Sequence, residues 1–143
     1  MANYYGTVRT NYFHVKDEEQ FRALMAKTAG DEDGIELWDD ECDKDGNQVF
    51  GFGVYGGIAG VLNDDGEYDD DSYDRFMDGL KECVAEDDAI LIFEAGHEKL
   101  RYVGGGVTII TSKSIEYLNL QDAGCRKARE LLGNNDWTTK CDY

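Results

Sequence analysis

The residues most suited to acid–base chemistry stand next to each other at His97 and Glu98. A histidine beside a carboxylate can transfer protons near neutral pH. However, the chain has no G-x-S-x-G nucleophile turn, no H-E-x-x-H zinc motif and no cysteine–histidine motif to accompany the pair. Residues 96–99 are better interpreted as a polar turn between two strands. We therefore predict that the protein is not an enzyme. The alternative hypothesis is an enzyme that uses His97 and Glu98.

The spacing of the cysteines does not favour metal binding. The four cysteines are Cys42, Cys83, Cys125 and Cys141. They form no C-x-x-C pair, whereas a zinc site needs ligand pairs about two to four residues apart. We expect reduced thiols packed as small apolar groups, with disulfides as the alternative.

A calcium loop is also disfavoured, although acids are dense. Residues 41–46 carry the alternating acids and the glycine of such a loop. Phe52 stands at the position where the loop needs a bidentate glutamate, and two flanking helices are not expected. We therefore predict no metal and no cofactor.

The glycine-rich segment 51–56 fits the G-x-G-x-x-G pattern of dinucleotide-binding turns. That motif follows a strand and begins a helix, whereas here it lies inside an aromatic strand, where glycines indicate bulges or a close approach of backbone. The strands rich in glycine and tyrosine around residues 51–57 support a second hypothesis, a small-molecule-binding protein such as a sponge for a defence signalling nucleotide.

Acidity is the dominant feature of the composition. The 143 residues include 31 Asp and Glu against 14 Lys and Arg, a net charge of −17 with neutral histidines. Residues 30–94 hold 22 acidic and three basic residues, a net charge of −19, and the rest of the chain has a net charge of +2. This balance argues against binding to nucleic acids or to anionic membranes. Solubility or adaptation to high salt would also explain it.

Rows of carboxylates can compete with a polyanion for a basic groove. Duplex DNA carries one negative charge per ~1.7 Å of axis, and carboxylates at i and i+4 of a helix lie about 6 Å apart. Like-charge repulsion should raise the pKa of several such carboxyl groups. We predict that a protein partner binds two groups of residues: Glu36, Trp38, Asp39, Asp40 and Glu41 near one strand, and Asp69, Asp70, Asp71, Asp74 and Asp78 around the start of a helix.

The elements that must position these residues alternate between strands and helices. Patterning predicts strands over residues 4–15, 35–38, 49–55, 89–95, 100–111 and 115–120, with a turn at 43–47 and a strand-like tail at 137–143. A first helix follows an Asp17 cap and stops at Gly30, and a second carries Phe76 and Leu80. A third runs from Asn119 or Asp122 to Gly133. The pattern predicts an α+β fold, with about three helices and a mostly antiparallel sheet in a single compact domain over residues 1–143.

Two stretches, NYYGTVRTNY at residues 3–12 and GHEKLRYV at residues 96–103, resemble a family of small acidic, uncharacterised proteins carried by phages and other bacterial mobile elements. The resemblance implies a mobile-element setting. In that setting, small acidic α+β proteins are similar in size and charge to anti-CRISPR and anti-restriction inhibitors that mimic DNA.

These observations predict a non-enzymatic inhibitor of a bacterial DNA-targeting defence nuclease, either a CRISPR effector or a restriction enzyme. Its acidic middle region would occupy the basic groove in which the nuclease binds DNA or reads the PAM. No apolar run approaches the ~18 residues of a membrane span, and the first residues lack the character of a secretion signal. We therefore expect a protein of the bacterial host cytoplasm that binds neither membrane nor nucleic acid.

Overall fold

The structure is a computed structural model that describes residues 5–140. Its strands are β1 (Tyr5–Thr10), β2 (Thr28–Gly30), β3 (Glu36–Cys42), β4 (Gln48–Tyr55), β5 (Ile58–Val61), β6 (Ile90–Glu98), β7 (Tyr102–Ile110) and β8 (Ile115–Asn119). Its helices are α1 (Glu18–Ala26), α2 (Ser72–Cys83) and α3 (Leu120–Leu132).

Six of the strands form one sheet in the order β3-β4-β1-β6-β7-β8, and β2 pairs with β5 in a small second sheet. Every pairing between these strands is antiparallel. The α+β class with a mostly antiparallel sheet and three helices is therefore confirmed.

The hydrophobic core lies on one face of the six-stranded sheet, beneath α1 and α2. Strand side chains alternate between faces, so Val8 and Ile92 point into this core while their neighbours point away. The centre of the core is aromatic, and Phe13 meets Phe21 edge-to-face at 5.6 Å between ring centroids. Phe52 meets Phe76 of α2 in the same way at 5.7 Å.

The opposite face of the sheet is largely uncovered by the residues that the structure describes. Gly105 is paired with Ala95, which is paired with Thr7, so all three lie on the face away from Val8. A Cβ at Gly105 would lie 2.9 Å from Leu120 Cδ1, which places the start of α3 on this face. No residue of α3 is buried. The sheet therefore has one closed face and one open face.

Local signals fix the start of α1 and both ends of α3 as the sequence predicts. The Asp17 carboxylate accepts hydrogen bonds from the backbone N–H groups of Glu19 and Gln20, which caps α1. The Asn119 side chain caps α3 in the same manner, and Gly133 ends that helix in the left-handed conformation at φ +63°.

Other boundaries differ from the prediction because pairing with distant strands decides them. The first strand ends at Thr10, and Phe13 and Val15 make only isolated bridges. Helix α1 ends at Ala26 and does not continue to Gly30, since residues 28–30 pair with β5, a short strand that the sequence pattern does not predict.

The predicted turn at residues 96–99 is mostly strand. Residues 96–98 belong to β6, because they pair with β7 on one side and, at Gly96 and His97, with β1 on the other. The turn begins at Lys99, whose φ is +50°. Residues 137–140 have no regular structure, which corrects that part of the strand-like tail. Residue 4 of the predicted first strand and residues 141–143 of that tail lie outside the described residues.

Candidate functional site

The β3 acidic group lies on an edge strand of the sheet. Glu36, Asp40 and Glu41 are exposed, and the pairing register with β4 shifts between Trp38 and Glu41. Asp39 differs from the others because its carboxylate accepts a hydrogen bond from Arg22 Nη1 at 2.9 Å. Three of the four predicted acids are therefore exposed and form no ion pair with residues 5–140, whereas Asp39 joins β3 to α1.

The second acidic group forms a row along α2. Asp74, Asp78 and Glu82 follow each other at four-residue spacing and are all exposed, while Phe76 and Leu80 bury the opposite side of the helix. These three carboxylates form no ion pair with any residue between 5 and 140. Glu82 extends the predicted row by one turn. We call Asp74, Asp78 and Glu82 the α2 row.

Asp69, Asp70 and Asp71 precede the α2 row and do not have equal roles. Asp71 occupies the N-cap position of α2 but makes no side-chain capping bond, and Asp70 lies beside it. Both carboxylates are exposed and form no ion pair within residues 5–140. Asp69 accepts a hydrogen bond from Arg75 Nη2 at 2.7 Å and another from Asn63 at 3.1 Å. These bonds lower the pKa of Asp69 to about 2. Asp69 therefore holds the loop in place, and its neighbours present the charge.

The two acidic groups are carried by separate elements. Strand β3 reaches the helical layer through the Asp39–Arg22 ion pair with α1, and α2 packs beside α1. No hydrogen bond or ion pair joins the β3 group to the α2 row within the part of the chain that the structure describes. They can therefore serve as independent surfaces.

Trp38 is fixed on the open face of the sheet by the glycines of β4. A Cβ at Gly53 would lie 2.7 Å from Trp38 Cη2, and one at Gly51 would lie 3.2 Å from Cε3. The Arg9 guanidinium lies 4.7 Å from the centroid of the Trp38 ring, a cation–π contact. The glycines of the G-x-G-x-x-G pattern thus let the Trp38 ring lie close to the backbone of β4. This is the kind of close approach that the sequence predicts.

An apolar groove of about 980 Å³ crosses the open face beside Trp38. Its apolar lining includes Trp38, Tyr55, Phe93, Val107, Leu118 and Leu120. Arg9, Asp33 and Glu36 supply charged groups to the same groove. The groove lies in the region of the small-molecule hypothesis, because Gly53 and Tyr55 contribute to it. Its other walls come from strands distant in sequence, so no local motif could have revealed it.

His97 and Glu98 do not form a catalytic pair in this arrangement. They are successive residues of β6, so their side chains point to opposite faces of the sheet. His97 is exposed, and its ring lies 5.5 Å from that of Tyr5, measured between centroids. The two side chains are neighbours in the sequence, but the strand geometry holds them apart, on opposite faces of the sheet.

His14 forms a bridge that the sequence does not reveal, because its partners are distant. Its Nε2 lies 2.8 Å from Asp43 Oδ2, and its Nδ1 lies 2.7 Å from Asp88 Oδ2. The hydrogen bonds to Asp43 and Asp88 raise the pKa of His14. The bond from His14 and the backbone N–H of Asn47 lower the pKa of Asp43 to about 2. The bridge joins the β3–β4 turn to the chain before β6.

The segment that resembles a calcium loop is this same hairpin turn. The Asp43 carboxylate accepts hydrogen bonds from the backbone N–H groups of Asp45 and Asn47, and Gly46 has φ +85°. In residues 5–140, no group of three or more His, Cys, Asp or Glu side chains is arranged to hold a metal ion.

The cysteines differ in burial. Cys83 lies in the core, and burial raises the pKa of its thiol to about 11. Cys42 is exposed, which corrects the expectation that it packs as a small apolar group, and Cys125 is half-buried. All three are free thiols, and residue 141 lies outside the described range.

Within residues 5–140, no helix combines the length and apolar character that crossing a membrane requires. Comparisons with protein-family models, curated proteins and solved structures gave no match.

Proposed function

We propose that the protein is a non-enzymatic inhibitor of a bacterial DNA-targeting nuclease, a CRISPR effector or a restriction enzyme, and that it acts as an acidic mimic of DNA. The observation that carries the proposal is the α2 row. It presents three carboxylates, at Asp74, Asp78 and Glu82, on one exposed helix face, with Asp70 and Asp71 at its start.

The spacing of the α2 row suits a site built for phosphates. Side chains four residues apart on a helix have Cβ atoms about 5–6 Å apart, so the row repeats a negative charge at a nearly constant interval. A nuclease groove lined with Lys and Arg binds DNA largely through such charges, because each phosphate contact releases counterions. Carboxylates accept the same bidentate hydrogen bonds from Arg as phosphates do.

The rigidity of the row supports the same proposal. Phe76, Met77 and Leu80 on the opposite side of α2 are buried in the core. Rotation of the helix would therefore disrupt the packing of the core. The Asp69–Arg75 ion pair and the bonds from Arg75 to the Val61 carbonyl fix the preceding loop. A surface that is ordered before binding loses little conformational entropy on contact, which increases affinity.

A charge-reversal experiment tests this proposal. Replacing Asp74→Lys and Asp78→Lys together should weaken inhibition of DNA cleavage by a candidate CRISPR effector or restriction enzyme by about tenfold or more, since charged contacts of this type contribute about 1.5–3 kcal/mol. Asp64→Lys with Asp65→Lys is the matched control, because it changes the net charge equally in an exposed loop. A gel shift should show this protein displacing DNA from the nuclease without binding DNA itself.

Three outcomes would contradict the proposal. One is full inhibition by the folded Asp74→Lys, Asp78→Lys variant, with circular dichroism verifying the fold. A second is an equal loss of inhibition in the Asp64→Lys, Asp65→Lys control, which would show that only the net charge matters. A third is tight binding of this protein to DNA alone.

A further inference from the structure

We propose that the groove on the open face of the sheet binds a small amphiphilic anion, a molecule with a hydrocarbon or aromatic body and a single carboxylate. The site shares no residue with the α2 row, so this proposal goes beyond the inhibitor function and does not depend on it.

The apolar character of the open face is the first observation. A sheet with one solvated face normally carries polar residues there. Here Phe93 is 45% exposed and Leu118 42% exposed, and Val107 lies between them in the register of β6, β7 and β8. A continuous exposed apolar surface of this kind marks a binding site for a ligand or partner.

The size and walls of the groove are the second observation. Its volume of about 980 Å³ falls at the upper end of the roughly 300–1,000 Å³ typical of small-molecule sites. The fixed ring of Trp38 forms one wall, and Leu120 at the start of α3 forms the other. The groove therefore suits an elongated or flat apolar body.

Arg9 supplies the third observation, a positive charge that has no carboxylate partner within residues 5–140. Its Nε donates a hydrogen bond to the Thr10 carbonyl at 3.3 Å, and its guanidinium lies over the Trp38 ring. No acidic residue among those described forms an ion pair with it, although acids outnumber bases 31 to 14 in the chain. Its terminal nitrogens make no hydrogen bond with the described residues, so they can bind a carboxylate in bidentate fashion.

The neighbouring acids limit the ligand to one negative charge. Arg9 and Glu36 are both paired with Gly53 of β4, one on each side, and Asp33 lines the same groove. A second anionic group on the ligand would approach these exposed carboxylates, which repel it. A monocarboxylate therefore fits this groove better than a nucleotide with several phosphate charges.

Fluorescence titration with dodecanoate, kept below its micellar concentration, tests the ligand class. Trp38 reports binding once the other tryptophan is removed by Trp137→Phe. We expect dodecanoate to bind about tenfold or more tightly than dodecanol, because only the acid pairs with Arg9. Arg9→Gln should abolish this difference. Arg126→Gln, an exposed arginine of α3 outside the groove, should preserve it.

Three further variants test the location. Leu118→Glu places a carboxylate in the groove and should abolish dodecanoate binding, whereas Leu131→Glu on exposed α3 should leave it unchanged. Glu36→Gln removes a repelling charge and should strengthen dodecanoate binding severalfold. Circular dichroism and thermal melting verify that each variant is folded.

Several results would overturn the proposal. They are equal affinity for dodecanoate and dodecanol, retention of the preference in Arg9→Gln, and binding that survives Leu118→Glu. Sedimentation showing a dimer that Leu118→Glu dissociates would also overturn it, since a second copy would then cover the groove. The Asp74→Lys, Asp78→Lys variant should bind dodecanoate normally, so failure of the inhibitor proposal and failure of this one are distinguishable.

Discussion

At the scale of single residues, the His14 bridge makes the folding energy depend on pH. The raised pKa of His14 means that its contribution is fully present below the ordinary histidine value of 6.5 and is lost as the pH rises through the higher folded value. The lowered pKa values of Asp43 and Asp88 mean that their contributions are present above about 3.8 and are lost as the pH falls further. The bridge therefore stabilises the fold most between these limits.

The raised pKa of His14 predicts how the stability of the His14→Gln variant depends on pH. The variant should be less stable than the natural chain at pH 5, and the difference should shrink as the pH is raised to 8, because deprotonated His14 loses its charge-assisted bonds. Urea unfolding of both proteins across this pH range measures the difference directly. A constant difference at every pH would show that the neutral ring, through packing alone, accounts for the contribution of His14.

The direction of the acidic pKa shifts differs from the sequence-based expectation. Crowding of carboxylates predicts raised pKa values, but within residues 5–140 the carboxyl groups whose pKa clearly shifts are Asp43, Asp69 and Asp88, and all three are lowered. Each accepts hydrogen bonds from a cationic side chain or from backbone N–H groups, and these bonds favour the charged form. Composition alone does not reveal such partners, because Asp88 and His14 are 74 positions apart.

At the scale of elements, α2 and α3 look alike in sequence but are held differently. Both are amphipathic, yet α2 buries Phe76, Met77 and Leu80, whereas α3 buries no residue and exposes Leu131 at 76%. The Asn119 cap and the left-handed Gly133 therefore contribute a larger share of the stability of α3 than caps contribute to a helix that packs against the core.

We therefore predict that Asn119→Ala acts locally. The loss of the cap should destabilise α3 by about 1 kcal/mol and speed amide hydrogen exchange throughout that helix. Exchange in α2 and the cooperative melting of the core should change little. Hydrogen exchange followed by mass spectrometry distinguishes the two helices. Equal acceleration in α2 would mean that α3 unfolds together with the core.

The same contrast explains how far the sequence could predict the fold. The Asp17 and Asn119 caps, the 43–47 turn and the apolar stripe of α2 were predictable, because their signals lie within a few residues. Strands β2 and β5 were not, since each is defined by its partner rather than by its own pattern. The groove and the His14 bridge were missed for the same reason, because both assemble from distant segments.

At the scale of the whole molecule, the net charge of −17 should oppose folding at low ionic strength. Raising NaCl from 10 mM to 500 mM at pH 7 should raise the melting temperature by several degrees, because the Debye length shortens from about 30 Å to a few ångströms. The Asp74→Lys, Asp78→Lys variant should respond less, since fewer like charges remain. A melting temperature independent of salt would mean that the carboxylates are too far apart to repel one another appreciably.

The position of β3 at the sheet edge has a consequence that concerns other copies of the chain. An edge strand offers unpaired backbone groups to any passing strand and can start edge-to-edge aggregation. Glu36, Asp40 and Glu41 charge this edge, and the shifted register near Trp38 distorts it. Two such edges repel each other and match poorly in shape. We therefore expect the β3 carboxylates to oppose polymerisation through this edge.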